Sequence, residues 1–324
     1  MTPVVAGIDI GGTSVVFGLV DRSGNCLADG KIATSDFPEP HDFAAAMTDE
    51  IRKLLASRSD LSLTGIGIGA PNGNYYRGTV EYAPNLAWKG IIPLAEMFRE
   101  RFHLPSALTN DANAAAIGEM LFGGAQGMKD FIVITLGTGV GSGIVSGGEL
   151  VYGHDGFAGE IGHTIYDPNG RQCNCGRRGC LETYASATGV CRTARELLDR
   201  DSQPSELRGL SGSNLTAVAI AEAASRGDKI ALEVFETTGQ ILGLKLADSV
   251  AYTSPEAIFL FGGLANSANL IFEPTYRWME HYMLNIFKGK VKLLPSGLKQ
   301  GNVAVLGAAA LIWNELSKTS ENAG

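Results

Sequence analysis

Twice along this chain an apolar strand runs into a short glycine turn bearing one threonine and comes back as a second apolar strand. The first passage is Asp9-Ile-Gly-Gly-Thr13 leading to Phe17-Gly-Leu-Val20, the second Thr135-Leu-Gly-Thr-Gly139 leading to Gly143-Ile-Val145. So wide a spacing is unlike a short-period repeat array and predicts two related domains. The pattern around them alternates. Buried-strand runs at 4–10, 64–70 and 106–108 are interleaved with helical spacing over 43–56, 93–102 and 112–122. After the strand 131–135 and its turn come helical patterns at 216–225, 230–251, 272–287 and 305–316, with a short strand at 258–261. Such alternation marks an α/β fold. We place a small α/β domain at 1–109, joined by a returning C-terminal helix in 303–324, and a large one at 110–302. Residues 201–213 read as a flexible loop and 317–324 as a frayed tail.

Glycine turns let backbone amides approach phosphate oxygens closely. Gly11, Gly12 and Thr13 in the first turn, and Gly137, Thr138 and Gly139 in the second, together read as a phosphate clamp. Neither turn is a P-loop, which ends in Gly-Lys-[Ser/Thr], nor a Gly-x-Gly-x-x-Gly turn that opens a helix. Each returns into a strand. Taken singly, either turn could serve sheet geometry alone. Asp9, where the first strand meets its turn, is placed to orient a hydrated Mg2+ or to act as a hydrogen-bonded turn residue.

A denser cluster follows. Glu160-Ile-Gly-His163 precedes Cys173-Asn-Cys175-Gly-Arg-Arg-Gly-Cys180-Leu-Glu182. One histidine and three cysteines match a closed tetrahedral zinc site. Polar, glycine-rich neighbours argue against thiols that merely fill a core. The His163 ring can give one nitrogen to a metal and keep the other for a ligand. Cys26 and Cys191 lie outside this pattern and read as structural. In Thr109-Asn110-Asp111-Ala-Asn113 the polar residues open a helix, where they serve as caps or, for Asp111, as a carboxylate kept ionised by the helix dipole.

Bulk properties narrow the partners. A net charge of −8 with a sequence pI near 5.2 argues against a nucleic-acid surface and favours a small-molecule partner. No window approaches the apolar length of a membrane span, and no signal peptide is expected. Five cysteines, three of them crowded together, fit reduced thiols in the cytoplasm better than a disulfide framework.

Taken in order, these motifs, with Gly262-Gly263 after the strand at 258–261, resemble the ROK family over nearly the whole chain. That family joins bacterial sugar kinases and sugar-responsive repressors on the actin-like (ribonuclease H-like) duplicated ATPase fold. The resemblance implies that ATP phosphorylates a hexose in a cleft between two domains, most simply glucose to glucose 6-phosphate. Asp111 would be the general base. Asn85, Asn110, Glu160, His163 and Glu182 would bind the sugar hydroxyls. Asp9, Gly11, Gly12, Thr13, Gly137, Thr138, Gly139, Gly262 and Gly263 would serve ATP and its Mg2+. Structural Zn2+ would sit on His163, Cys173, Cys175 and Cys180, four ligands that leave no open position for catalysis. A homodimer is the family expectation. The turn Pro71-Asn72-Gly73-Asn74 departs from the family's usual Gly-x-Pro-Gly followed by an acidic residue, which leaves N-acetylmannosamine, N-acetylglucosamine, allose and fructose as alternative sugars. A repressor would need an N-terminal recognition domain, whereas the first core strand starts at Val4.

Overall fold

The computed structural model describes residues 1–210, 212–298 and 303–321. It divides into two compact units, Met1–Met128 with Leu150–Ala158 and Ser296–Gly324, and Lys129–Glu149 with Gly159–Pro295.

In the first unit β1 (Thr2–Ile10), β2 (Ser14–Val20) and β3 (Cys26–Ala33) form an antiparallel meander. Helix α1 (Pro40–Ala56) leads to β4 (Leu61–Gly69), which lies parallel to β1. A small ribbon follows, made of β5 (Gly73–Asn74), β6 (Thr79–Glu81) and β7 (Ile91–Ile92). Helix α2 (Leu94–Phe102) returns the chain to β8 (Ser106–Thr109), parallel to β4, and α3 (Asp111–Phe122) comes next. The sheet order is β3-β2-β1-β4-β8. Val4, Val5, Ala6 and Ile8 are fully buried on a strand covered on both faces, which is why that strand reads as a continuous apolar run.

The second unit repeats the plan. Strands β9 (Phe131–Leu136) and β10 (Val140–Ser146) are antiparallel, with β11 (Glu149–Leu150) at the edge. Helices α4 (Glu182–Ala185), α5 (Ala187–Arg200), α6 (Ala217–Ser225) and α7 (Lys229–Thr253) precede β12 (Ala257–Phe261), which is parallel to β9. Helix α8 (Asn269–Tyr282) leads to β13 (Lys292–Pro295), parallel to β12. The order β11-β10-β9-β12-β13 matches the first sheet strand for strand. The duplication implied by the two glycine turns is therefore present in the topology, and the chain has the expected α/β fold.

Several boundaries differ from the sequence reading. Helix α3 packs against the last helix, α9 (Val303–Glu321), and stays in the first unit, so the second unit opens at Lys129 rather than at residue 110. The helix expected over 272–287 stops at Tyr282, where Met283 turns extended, and Leu284 and Ile286 beyond it are exposed. Residues 201–213 include two short 3-10 turns, Glu206–Gly209 and Gly212–Asn214, with residue 211 outside the described residues. The expected tail is helical to Glu321; residues 299–302, next to the expected domain boundary, and 322–324 lie outside the described residues.

Candidate active site

In the first unit three parallel strands end on one rim. Asp9 pairs in register with Gly69, and Gly69 with Thr109. Carboxyl ends of parallel strands are where α/β sheets hold ligands. The chain leaves β8 through Asn110, whose side chain caps α3 by accepting the Asn113 N–H at 2.7 Å. Asp111 is the first residue of that helix and accepts the Ala112 N–H at 2.8 Å. Of the two readings open for this motif, the cap falls on Asn110.

Electrostatics here departs from expectation. Asp111 has solvent-accessible surface, yet protein crowds its carboxyl closely enough that desolvation pushes its pKa up, against the pull of the Ala112 amide. We read this as a group desolvated on most sides and open on one. Desolvation therefore outweighs the helix dipole, and a carboxylate raised in this way is a stronger proton acceptor once ionised. Asp9 is pushed up to about 7, first by burial and then by the charge of Asp111. Asp9, raised by burial and by the charge of Asp111, forms with it a donor set suited to a divalent cation.

Further contacts finish this rim. Gly12 lies against Asn85, since a Cβ on the glycine would meet the Asn85 carbonyl oxygen at 3.0 Å. Gly73 packs on the Asn110 cap, where a Cβ would meet the Thr109 oxygen at 2.4 Å and the Asn110 nitrogen at 2.9 Å. Asn72 takes φ of 50° and donates to the Glu81 carbonyl at 3.0 Å, tying the atypical turn to the ribbon. The first glycine turn is fastened by Thr34, whose hydroxyl donates to the Gly11 oxygen at 2.7 Å and whose N–H donates to the Thr13 oxygen at 3.1 Å. Gly12 and Thr13 remain exposed.

The second unit holds the other predicted residues. Its turn closes on itself, Gly137 N–H donating to the Gly139 oxygen at 3.0 Å, and Thr138 is exposed. Gly262, at φ 104°, leaves no room for a Cβ against the Leu136 carbonyl, and Gly263 follows it exposed. Glu160 and His163 line a cavity of about 580 Å3 together with Arg177, Lys245, Asp248 and Tyr252.

His163, Cys173, Cys175 and Cys180 converge, with their ligand atoms all within 4.8 Å of one another. Cys173 Sγ lies 3.8 Å from His163 Nδ1, and Cys175 Sγ lies 3.6 Å from Cys180 Sγ. A tetrahedron with Zn–S bonds of about 2.3 Å has edges of roughly 3.8 Å, so the donor set fits zinc in both chemistry and spacing. Because Nδ1 faces the sulfurs, Nε2 is the nitrogen left for a ligand.

Arg171 escaped the sequence reading. It is buried, and its guanidinium donates to Glu196, to the Thr183 carbonyl at 2.7 Å, to the Gly189 carbonyl at 3.2 Å and to the Thr193 hydroxyl at 2.9 Å. The cysteine loop is thereby anchored to α5. An arginine beside a cysteine motif reads as solvated surface, and only the fold shows that all its donors are used. Also unforeseen is the position of Glu182, which accepts the Val140 N–H at 3.1 Å and so touches the second glycine turn as well as the cysteine loop.

Comparison with known proteins gives a consistent picture. The ROK family model matches residues 5–315. A glucokinase of Streptomyces coelicolor is 36% identical over 284 residues, covering 86% of this chain and 87% of that protein. Among solved structures, a ROK family glucokinase from Streptomyces griseus in complex with glucose and AMPPNP superposes with a TM-score of 0.77 at 34% identity, over 95% of this chain and 98% of that one. A ROK family transcriptional regulator, homolog of the E. coli MLC protein, superposes with a TM-score of 0.85 at 28% identity, over 97% of this chain and 78% of that one.

Proposed function

The chain belongs to the ROK family and is a sugar kinase, and from that premise we propose that it transfers the γ-phosphoryl group of ATP to the 6-hydroxyl of glucose, with Asp111 as general base. The observation that carries the reading is the rim of the first unit, where Asp111 opens α3 beside Asp9 at the carboxyl ends of three parallel strands. Fold alone would not separate a kinase from a sugar-binding regulator, because both occur on this scaffold. The residues do. A binder has no need of a raised carboxylate at the sugar, nor of a second carboxylate for a metal.

On this reading Asp111 takes the proton of the sugar hydroxyl as its oxygen forms a bond to the γ-phosphorus. The bond from that phosphorus to the bridging oxygen breaks, and ADP leaves. Asn85, Asn110, Glu160, His163 and Glu182 fix the sugar's other hydroxyls, so that binding energy goes into orientation. Gly11 to Thr13, Gly137 to Gly139, and Gly262 and Gly263 line the nucleotide. Asp9 would hold Mg2+, which would supply charge neutralisation at the phosphates. Zinc on His163, Cys173, Cys175 and Cys180 would hold the Glu160–Glu182 segment in shape and leave the chemistry to Asp111.

The test is ADP release from ATP with a panel of hexoses, followed by identification of the phosphorylated carbon. Glucose should give the highest kcat/KM, with phosphate on carbon 6. Preference for N-acetylmannosamine or another of the alternative sugars would move the substrate assignment and leave the reaction intact. No hexose-dependent ADP release would overturn the kinase reading.

A further inference from the structure

We propose that Glu182 is a positioning residue for the turn Gly137–Gly139, so that the loop carrying the metal ligands also sets the turn that receives nucleotide phosphates. The inference rests on the reading of that turn as a phosphate site. Glu182 stands two residues after Cys180 and opens the short helix α4. One carboxylate oxygen, Oε1, lies 3.8 Å from Cys173 Sγ. The other, Oε2, accepts the N–H of Val140, a buried residue directly after the turn.

Gly139 supplies independent support. A Cβ at that position would come within 2.4 Å of Glu182 Oε2, and its other near neighbour is the same carboxyl carbon at 3.3 Å. Among the described residues other than its chain neighbours, Glu182 alone crowds position 139 within 4 Å. The segment after Glu182 reinforces the grip, since Ala187 N–H donates to the Gly137 oxygen at 2.9 Å and the Thr188 hydroxyl to the Thr138 oxygen at 3.1 Å. Glu182 is the charged member of this set. A negative charge beside a phosphate turn would by itself weaken nucleotide binding, so its gain must come from holding the backbone. That opposition gives the proposal a test with a sign.

Binding of AMPPNP with Mg2+ is measured by calorimetry in the absence of sugar, on the full zinc-loaded chain. Glu182→Ala should weaken binding by about tenfold, the scale of one charge-assisted hydrogen bond. Glu182→Gln keeps an acceptor and loses the charge, and should stay within about threefold of wild type. Gly139→Ala should weaken binding because its methyl pushes the carboxylate away. The double variant Gly139→Ala/Glu182→Ala should bind no more weakly than Glu182→Ala alone. If Glu182→Ala fails to fold, Glu182→Asp, which keeps the charge and loses reach, should weaken binding in its place. A purely sugar-contacting Glu182 leaves sugar-free nucleotide affinity unchanged, and a purely repulsive one makes Glu182→Ala bind tighter. Either result, or additive effects in the double variant, overturns the proposal. Absence of AMPPNP binding by the wild type would instead remove the phosphate reading beneath it.

Discussion

The two units share a sheet order and a strand–turn–strand entrance, yet they furnish the turn differently. In the first, the turn stands at a rim with two carboxylates, Asp9 and Asp111, both pushed above their ordinary pKa by burial. In the second, the turn is fastened by Glu182, Ala187 and Thr188 to a loop whose cysteines and histidine suit a closed metal site. Duplication preserved the scaffold and let function diverge in the segments that follow it. On the proposed mechanism the first unit is the reacting half, where two carboxylates are raised by burial. The second is on the same reading the holding half, where a hydrophobic core supports a loop whose histidine and cysteines suit a closed metal site.

The largest effect should fall on the reacting half. Asp111→Asn should lower kcat by about a thousandfold or more while glucose affinity stays within about tenfold, roughly 1.4 kcal/mol. Near-wild-type turnover in that variant would break the distinction at once. In the holding half, His163→Ala should cost both zinc and sugar binding, with affinity down by about a hundredfold, whereas Cys175→Ser should act through zinc content. Zinc retained at one per chain in His163→Ala, measured by metal analysis, would contradict the ligand assignment.

A stability effect comes next. Glu119 on α3 is buried and accepts N–H groups from Gly124 at 2.8 Å and Gly297 at 3.0 Å, as well as the Ser296 hydroxyl. It pins the two stretches where the chain leaves and re-enters the first unit. Glu119→Ala would strand those donors and should destabilise by about 2–4 kcal/mol in urea titration, with Glu119→Gln milder. A pH-dependent effect concerns Asp9. Its carboxyl titrates near 7 in the folded chain and near 3.8 when unperturbed. The folded state therefore binds more protons over that interval, and stability is lost as pH climbs from about 4 to about 7. In magnesium-free buffer Asp9→Asn should raise Tm at pH 8, with the gain shrinking toward pH 5. An equal gain at both values would show that Asp9 is not held up by burial.

Central elements were legible in the sequence because burial on both faces writes continuous apolar runs: β1, β4, β9 and β12 all carry them. Of the edge strands, β8 was expected at 106–108, whereas β3 and β13 were not. β3 reads Cys-Leu-Ala-Asp-Gly-Lys-Ile-Ala, half exposed and polar as edges tend to be, and β13 is short and similarly exposed. The cysteine cluster could be read because few arrangements suit three thiols and an imidazole at that spacing. By contrast, the anchoring of Arg171 and the hold of Glu182 on Val140 depend on partners 12 to 42 residues away, and no local pattern announces them. The raised carboxylates belong to the same class, since desolvation is a property of the assembled rim rather than of Asp9 or Asp111 alone.

The division of labour is tested most directly by changing the metal without changing the protein. The chain is refolded with cadmium or cobalt in place of zinc, loaded to one ion per chain, and assayed with glucose and Mg-ATP. A metal that only holds the loop predicts kcat within about twofold of the zinc form, because four protein ligands leave it no reacting position. A change of tenfold or more in kcat with metal identity, at unchanged Tm and glucose affinity, would put the metal in the chemistry and contradict the account.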